Sequence, residues 1–317
     1  MSRCVLFACD VVLLPTHQAG GGLVADPRTV MVAGATGSIG GGAAVALAKR
    51  GARTVVLGRT PDRLEARADA IRETLSREGI EDPGIETLAV DLCDVDSVRS
   101  ATAEALDRYA SIDGLVLSVG LLAQDGPKIL PNGHELMFAT NVLGPFRFTQ
   151  LLMDRLQRSR AVILHVIAPF YEAIDWDDLE SIENHQTDPA YHRTKTMDRM
   201  IVAELARRYE GAIASVAFDP SFIIDKDDPS LKDRWPKGFT GLYWRVLTAL
   251  VAKPPHVAGE PIADLVLESD GAAIDGALYK LGKRVRKPDK AMSDEAGGRR
   301  LWEELIRLTE PETVPRD

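Results

Sequence analysis

Residues Thr29 to Ala33 read TVMVA, Gly34 to Gly40 read GATGSIG, and Ala43 to Arg50 form a run of small and apolar residues. An apolar strand, a glycine turn and a helix in that order bring backbone N–H groups and a helix N-terminus to one point, an arrangement suited to a diphosphate. Gly34 permits the tight turn, Gly37 lets backbone approach a ligand, and Gly40 lets the helix pack close to the strand. Thr36, Ser38 and Ile39 complete the turn, so they join the three glycines as candidate cofactor contacts.

A second apolar stretch follows on schedule at Thr54 to Leu57, and the alternation then continues. Helical patterns at Leu64 to Ser76 and Val95 to Tyr109, one around Glu135 to Leu156, and one carrying Tyr191 interleave with strand patterns. Those strands fall at Glu86 to Val90, Gly114 to Val119, Ala161 to Ile167 and Ile213 to Phe218. This predicts a single α/β domain over residues 29–309, a Rossmann-type doubly wound parallel sheet with both faces covered. Ligands of such sheets lie beyond the carboxyl ends of the strands, and Gly34, Asp91, Gly120, Ala168, Tyr191 and Pro220 all fall at or just after those ends. The second strand closes on Gly58 and Arg59, with no carboxylate for a ribose 2′-hydroxyl. A cation in that place favours a 2′-phosphate, so the expected cofactor is NADP(H), with Arg59 on the phosphate.

Composition sets the outer limits. The chain has 317 residues, enough to bury a large core, and a net charge of −9, which gives no basic excess with which to bind nucleic acid. Its three cysteines, Cys4, Cys9 and Cys93, have no zinc-like pairing and suit a reducing, cytoplasmic setting; no metal site is expected. The apolar run Cys4 to Leu14 contains Asp10 and is far short of the ~20 residues that span a bilayer. Residues 1–28 therefore read as a flexible or loosely docked tail, and an upstream start assigned too early would look the same.

Tyr191 and Lys195 stand four residues apart in AYHRTK, about one helical turn, so phenol and ammonium project from one face. A free phenol titrates near ~10, and a neighbouring cation favours its ionised form, which would let Tyr191 exchange a proton near neutrality. With this pair the chain resembles the short-chain dehydrogenase/reductase family, most of all its retinol-dehydrogenase and protochlorophyllide-reductase-like branch. The resemblance spans roughly Thr29 to Leu308. Besides GATGSIG and AYHRTK it rests on VDLCDVDSVRS from Val90, GHELMFATNVLGPFRFTQLLM from Gly133, IDWDDL from Ile174 and DEAGGRRLWEELIRL from Asp294.

The resemblance implies that Tyr191 gives or takes the proton of the substrate oxygen, that Lys195 holds the nicotinamide ribose and tunes the tyrosine, and that Asn141 maintains a water-mediated proton relay. It also implies that Asp91 and Leu92 contact adenine, and that relatives of this kind are often homodimers or homotetramers. Three departures accompany it. Ser38 stands where one branch has its middle glycine. The usual Asn-Asn-Ala-Gly strand end is Leu117-Ser118-Val119-Gly120. The family's catalytic serine has no counterpart, because no Ser or Thr lies between Arg160 and Ser181; its place falls to Ala168, or to Val166 in a shifted register. His165 and Tyr171 are nearby polar groups, with His165 mid-strand and more in keeping with a core residue.

The carboxyl third supplies a candidate lid at about residues 221–255, with Phe222, Trp235, Phe239, Tyr243 and Trp244 among charged residues, while Trp244 and Leu247 to Val251 suit core packing or a subunit interface as well. Residues 310–317 read as a frayed tail. The expected activity is an NADPH-dependent oxidoreductase on the carbonyl or alcohol of a hydrophobic small molecule. The alternative keeps the fold and cofactor but not simple redox turnover, as a cyclase, an isomerase or a nucleotide-binding regulatory module.

Overall fold

The computed structural model describes residues 26–123, 126–224 and 253–309. The expected tails and the lid aromatics from Trp235 to Trp244 therefore lie outside the described residues. One eight-stranded sheet organises the rest, in the order β3-β2-β1-β4-β5-β6-β7-β8. Its strands are β1 Thr29–Ala33, β2 Arg53–Gly58, β3 Ile85–Ala89, β4 Gly114–Leu117, β5 Val162–Val166, β6 Ala214–Asp219, β7 Ala277–Lys280 and β8 Lys283–Arg284. All neighbouring pairs are parallel except β7 with β8. The parallel, doubly wound expectation holds for the first seven strands, and the two-residue β8 turns back along the edge.

Strands β1, β4, β5 and β6 are buried along their whole length, as a sheet covered on both faces requires. Side chains alternate between the faces. Met31, Leu115 and Ile163 pack under α3 (Val95–Arg108) and α5 (Thr187–Arg208), while Val30, Val116, Leu164 and Val216 pack under α1 (Ser38–Lys49) and α6 (His256–Ala263). Helix α2 (Pro61–Arg77) lies beside α1. Helix α7 (Gly271–Ile274) leads into β7, and α8 (Glu295–Thr309) seals the α5 side with Leu301, Trp302 and Leu305. The strand β7 and helix α6 carry no clear period in the sequence; their place comes from sheet pairing with β6 and close packing on α1.

Helix α4 is composite. An opening turn, Leu136–Phe138, runs into a π-helical turn, Ala139–Leu143, and then into the α-helix Gly144–Ser159. The sequence pattern predicts one unbroken helix here. The inserted turn has a packing reason, because a Cβ on Gly144 would lie 2.1 Å from Leu92 O, so the helix is pressed against the segment that follows β3.

Strand β1 pairs on one side with β2 and on the other with β4, so Ala33 is level with both Leu57 and Leu117. The chain order reverses there, and a crevice opens beyond the strand ends, the place where α/β sheets of this order bind ligands.

Candidate active site

The glycine turn sits in that crevice. Gly34 adopts φ +79, and a Cβ on it would lie 2.5 Å from Ser118 O; a Cβ on Gly40 would lie 2.5 Å from Gly34 O. Both glycines are thus fixed by backbone crowding, as the sequence implied. Gly37 differs. It is the N-cap of α1 with no side-chain cap, and a Cβ on it would meet only Gly34 O, at 3.4 Å. There is therefore room in front of α1, whose N-terminus carries the positive end of the helix dipole, a feature that suits an anion.

Arg59 is exposed at the end of β2, next to Gly58, whose Cα faces Thr36 across the crevice. Among the described residues it has no ion pair or hydrogen bond. After β3, Asp91 Oδ1 accepts from Cys93 N at 3.1 Å, and Cys93 Sγ meets Thr140 Oγ1 of the π turn at 2.9 Å. Burial pushes the Cys93 thiol above its usual range. Asp91 and Leu92 are thereby held at the rim beside the helix that carries Asn141.

Asn141 is buried, and its side chain is fully engaged. Its Oδ1 accepts from Leu121 N at 2.7 Å, and its Nδ2 donates to Leu121 O at 2.9 Å and to Thr194 Oγ1 at 3.2 Å. The π turn aims this amide at the backbone just past Gly120 and ties it to α5 next to Lys195.

Helix α5 brings Tyr191 and Lys195 to the same spot. A Cβ on Gly120 would lie 3.4 Å from Tyr191 Oη and 3.9 Å from Lys195 Nζ, so this backbone runs alongside the pair. Tyr191 is partly exposed and packs with Ala123, Met137 and Ala190. Its hydroxyl makes no hydrogen bond among the described residues. Lys195 is buried, with Nζ bonded to Val119 O, Val166 O and Asp198 Oδ2.

A cavity of about 600 Å³ joins these parts. Its lining includes Gly37, Ser38, Ile39 and Gly120 from the turns, Tyr191 and Lys195 from α5, and Phe170, Pro220 and Phe222 from the loops after β5 and β6. Val166 and Ala168 also line it. Both registers for the missing serine therefore place an aliphatic side chain in the cavity, and neither offers a hydroxyl. Pro220 is followed by Ser221 in the left-handed conformation at φ +58, with its N–H held by Asp219 Oδ1 at 2.7 Å. Phe170 is 59% exposed and Phe222 36%, so the outer mouth is apolar.

The chain resembles known proteins along most of its length. A short chain dehydrogenase model matches residues 28–169. Retinol dehydrogenase 14 of Mus musculus is 31% identical, over 90% of this chain and 88% of that protein. The chain belongs to the short-chain dehydrogenase family. Retinol dehydrogenase 13 of Homo sapiens is 28% identical over 94% of this chain and 90% of its own length. A short-chain dehydrogenase structure from Shigella flexneri, solved as a complex with NADP, superposes with a TM-score of 0.59 at 18% identity, covering 80% of this chain and 96% of that one. Membership makes this protein an oxidoreductase of the short-chain dehydrogenase type, built on the fold that takes a nicotinamide dinucleotide. No helix among the described residues is long and apolar enough to cross a membrane, and no cluster of metal-ligating side chains occurs among them.

The sequence did not single out three residues of this short-chain dehydrogenase's site. Asp198 and Arg199 follow Lys195 on α5, buried at 3% and 4% exposure, and Arg199 donates to Phe170 O at 2.9 Å and to Ala168 O while lying 3.4 Å from Asp289. Ser221 is the third. A charged DR dipeptide inside an otherwise amphipathic helix was the available signal, but such pairs usually belong to a solvated face. His165 is buried at 2% exposure, as expected of a core residue, yet its Nδ1 faces Asp198 Oδ1 at 3.7 Å.

Proposed function

We propose that this chain is an NADP(H)-dependent reductase, or in reverse a dehydrogenase, acting on the carbonyl or alcohol of a hydrophobic small molecule. The observation that carries this reading is the single cavity lined together by Tyr191, Lys195, Gly120 and the start of α1. The residues present fit a dinucleotide. The glycine turn and the positive end of α1 would take the diphosphate, Arg59 the 2′-phosphate, Asp91 and Leu92 the adenine, and Pro220 would border the nicotinamide. When bound, the cofactor supplies the hydride.

The chain's own groups do the rest. Tyr191 Oη, which makes no hydrogen bond among the described residues, hands a proton to the substrate oxygen or receives one from it. Lys195 stands behind the tyrosine as its cation, and Asn141 holds the Leu121 backbone that shapes the approach. Phe170 and Phe222 provide an apolar entrance, which favours a hydrophobic substrate. The names of the retinol dehydrogenases point the same way, and the NADP in the Shigella flexneri complex supports the choice of cofactor. A cytoplasmic setting agrees with sparse cysteines and the free thiol of Cys93, and a homodimer or homotetramer, as in relatives, is checked by light scattering.

The test is oxidation of NADPH with apolar ketones, aldehydes and quinones, against NADH, in wild type, Tyr191→Phe and Arg59→Ala. Tyr191→Phe loses the activity, and Arg59→Ala weakens NADPH by roughly tenfold or more while leaving NADH nearly unchanged.

A second reading has its own observation. Val166 and Ala168 are aliphatic where relatives use a hydroxyl, so the site holds one hydrogen-bond donor fewer for a developing oxyanion. A cyclase or isomerase using Tyr191 as acid, or a nucleotide-binding regulatory module, would keep cofactor binding and show no NADPH oxidation with any carbonyl.

A further inference from the structure

A lysine ammonium has three N–H donors and no acceptor. At Lys195 all three point into the protein: to Val119 O at 2.7 Å, to Val166 O at 3.2 Å and to Asp198 Oδ2 at 2.9 Å. Lys195 and Asp198 are each 3% exposed, so water does not compete for either. Two of the acceptors are carbonyls at the ends of β4 and β5, where the sheet opens onto the cavity. The third is a full charge one turn further along the same helix.

The carboxylate is held from behind as well. His165 Nδ1 on β5 lies 3.7 Å from Asp198 Oδ1, beyond hydrogen-bond length, and His165 Nε2 is buried with no hydrogen-bond partner among the described residues. The next residue on α5, Arg199, is the other charged group coupled to this aspartate, and it is itself met by Asp219 at the end of β6 and by Asp289 before α8.

We propose that Asp198 is the positioning residue for Lys195, holding its ammonium against the strand ends so that a cofactor ribose must take a donor away from it. The inference rests on the proposed function, since the nicotinamide ribose is the competitor. A lysine with a free donor would meet ribose hydroxyls without rearranging. Here one of three bonds has to break, and the charge-assisted bond to Asp198 is the strongest of them. Asp198 therefore sets the affinity for cofactor by holding the ammonium that stands behind Tyr191.

The experiment measures NADPH dissociation constants directly, by nucleotide fluorescence, in the full chain. Asp198→Asn keeps the shape and removes the charge. It is expected to tighten NADPH about five-fold, the difference between a charged and a neutral hydrogen-bond acceptor, and to lower KM for NADPH without raising kcat. Asp198→Glu, which restores the charge, stays within about two-fold of wild type on the same argument. A merely structural aspartate would loosen binding when replaced. An Asp198→Asn protein with unchanged circular dichroism and equal or weaker NADPH binding overturns the inference alone. Wild type that binds neither NADPH nor NADH overturns both the inference and the proposed function. Should Asp198→Asn fail to fold, isotope-labelled wild type decides: a slowly exchanging lysine ammonium signal, absent from Lys195→Arg and shifted by NADPH, supports the inference, and a rapidly exchanging one overturns it.

Discussion

Asn141 grips Leu121 at both ends of its peptide groups, accepting from its N–H at 2.7 Å and donating to its carbonyl at 2.9 Å. Leu121 follows Gly120, which lies alongside Tyr191 and Lys195. Replacing Asn141 by Leu strands two backbone groups and leaves Thr194 Oγ1 with its bond to Tyr191 O alone. Each buried polar group left unpaired costs ~1–3 kcal/mol, so Asn141→Leu is expected to lower unfolding stability by about 2–4 kcal/mol in a urea titration. Activity should fall further than stability, because the segment beside Tyr191 loses its brace.

The glycine turn predicts opposite outcomes for two neighbours. Gly40→Ala forces a methyl to 2.5 Å from Gly34 O, a backbone atom that cannot step aside, and should cost ~2 kcal/mol or more in thermal unfolding. Gly37→Ala meets only Gly34 O at 3.4 Å and should leave the melting temperature within a few degrees. Its effect should appear instead as weaker dinucleotide binding, since the methyl projects into the space before α1.

Restoring the lost hydroxyl separates the two registers. Removal of one donor to a developing oxyanion typically costs ~10²–10³ in rate, so a serine in the right place should raise kcat by about tenfold or more. Ala168→Ser and Val166→Ser are measured side by side with the best carbonyl substrate found, and the variant that gains marks the position relatives use. A gain in neither shows that the cavity has been rebuilt around the aliphatic side chains.

Asp198 also governs acid stability. Burial pushes its carboxyl up, but the Lys195 charge and His165 outweigh that and hold it below the ordinary carboxylate range. A carboxyl lowered in the folded state contributes stability above its unfolded value of ~3.9 and loses it as pH falls through the folded value. The stability difference between wild type and Asp198→Asn is expected to be constant from neutrality to about pH 4 and to shrink below that. A gap that widens on acidification would contradict the pairing.

The first six strands were legible as short, mostly apolar runs alternating with helices, which together with the glycine turn pointed to a doubly wound parallel sheet. Tyr191, Lys195 and Asn141 were legible through the motifs around them, and the structure brings all three to one crevice edge. What the sequence concealed has one physical character: it depends on contacts distant in the chain. The π turn at Ala139–Leu143 follows from Gly144 pressing on Leu92, and β7 is specified by its pairing with β6. Asp198 and Arg199 read as solvated helix residues until α5 is laid against β5, where both become buried. Parallel doubly wound topology likewise omits β8, which turns antiparallel within two residues.

Arg199 takes hold of the main chain at Ala168 and Phe170, never of their side chains, and leans on Asp289 from the other direction. The wall of the cavity is thus fastened by atoms that every amino acid possesses. Side chains at 168 and 170 can change size or polarity while the loop that presents them keeps its course. This gives the molecule an evolvable rim, on which substrate preference drifts by single substitutions without refolding cost, and gives an engineer two positions to randomise together.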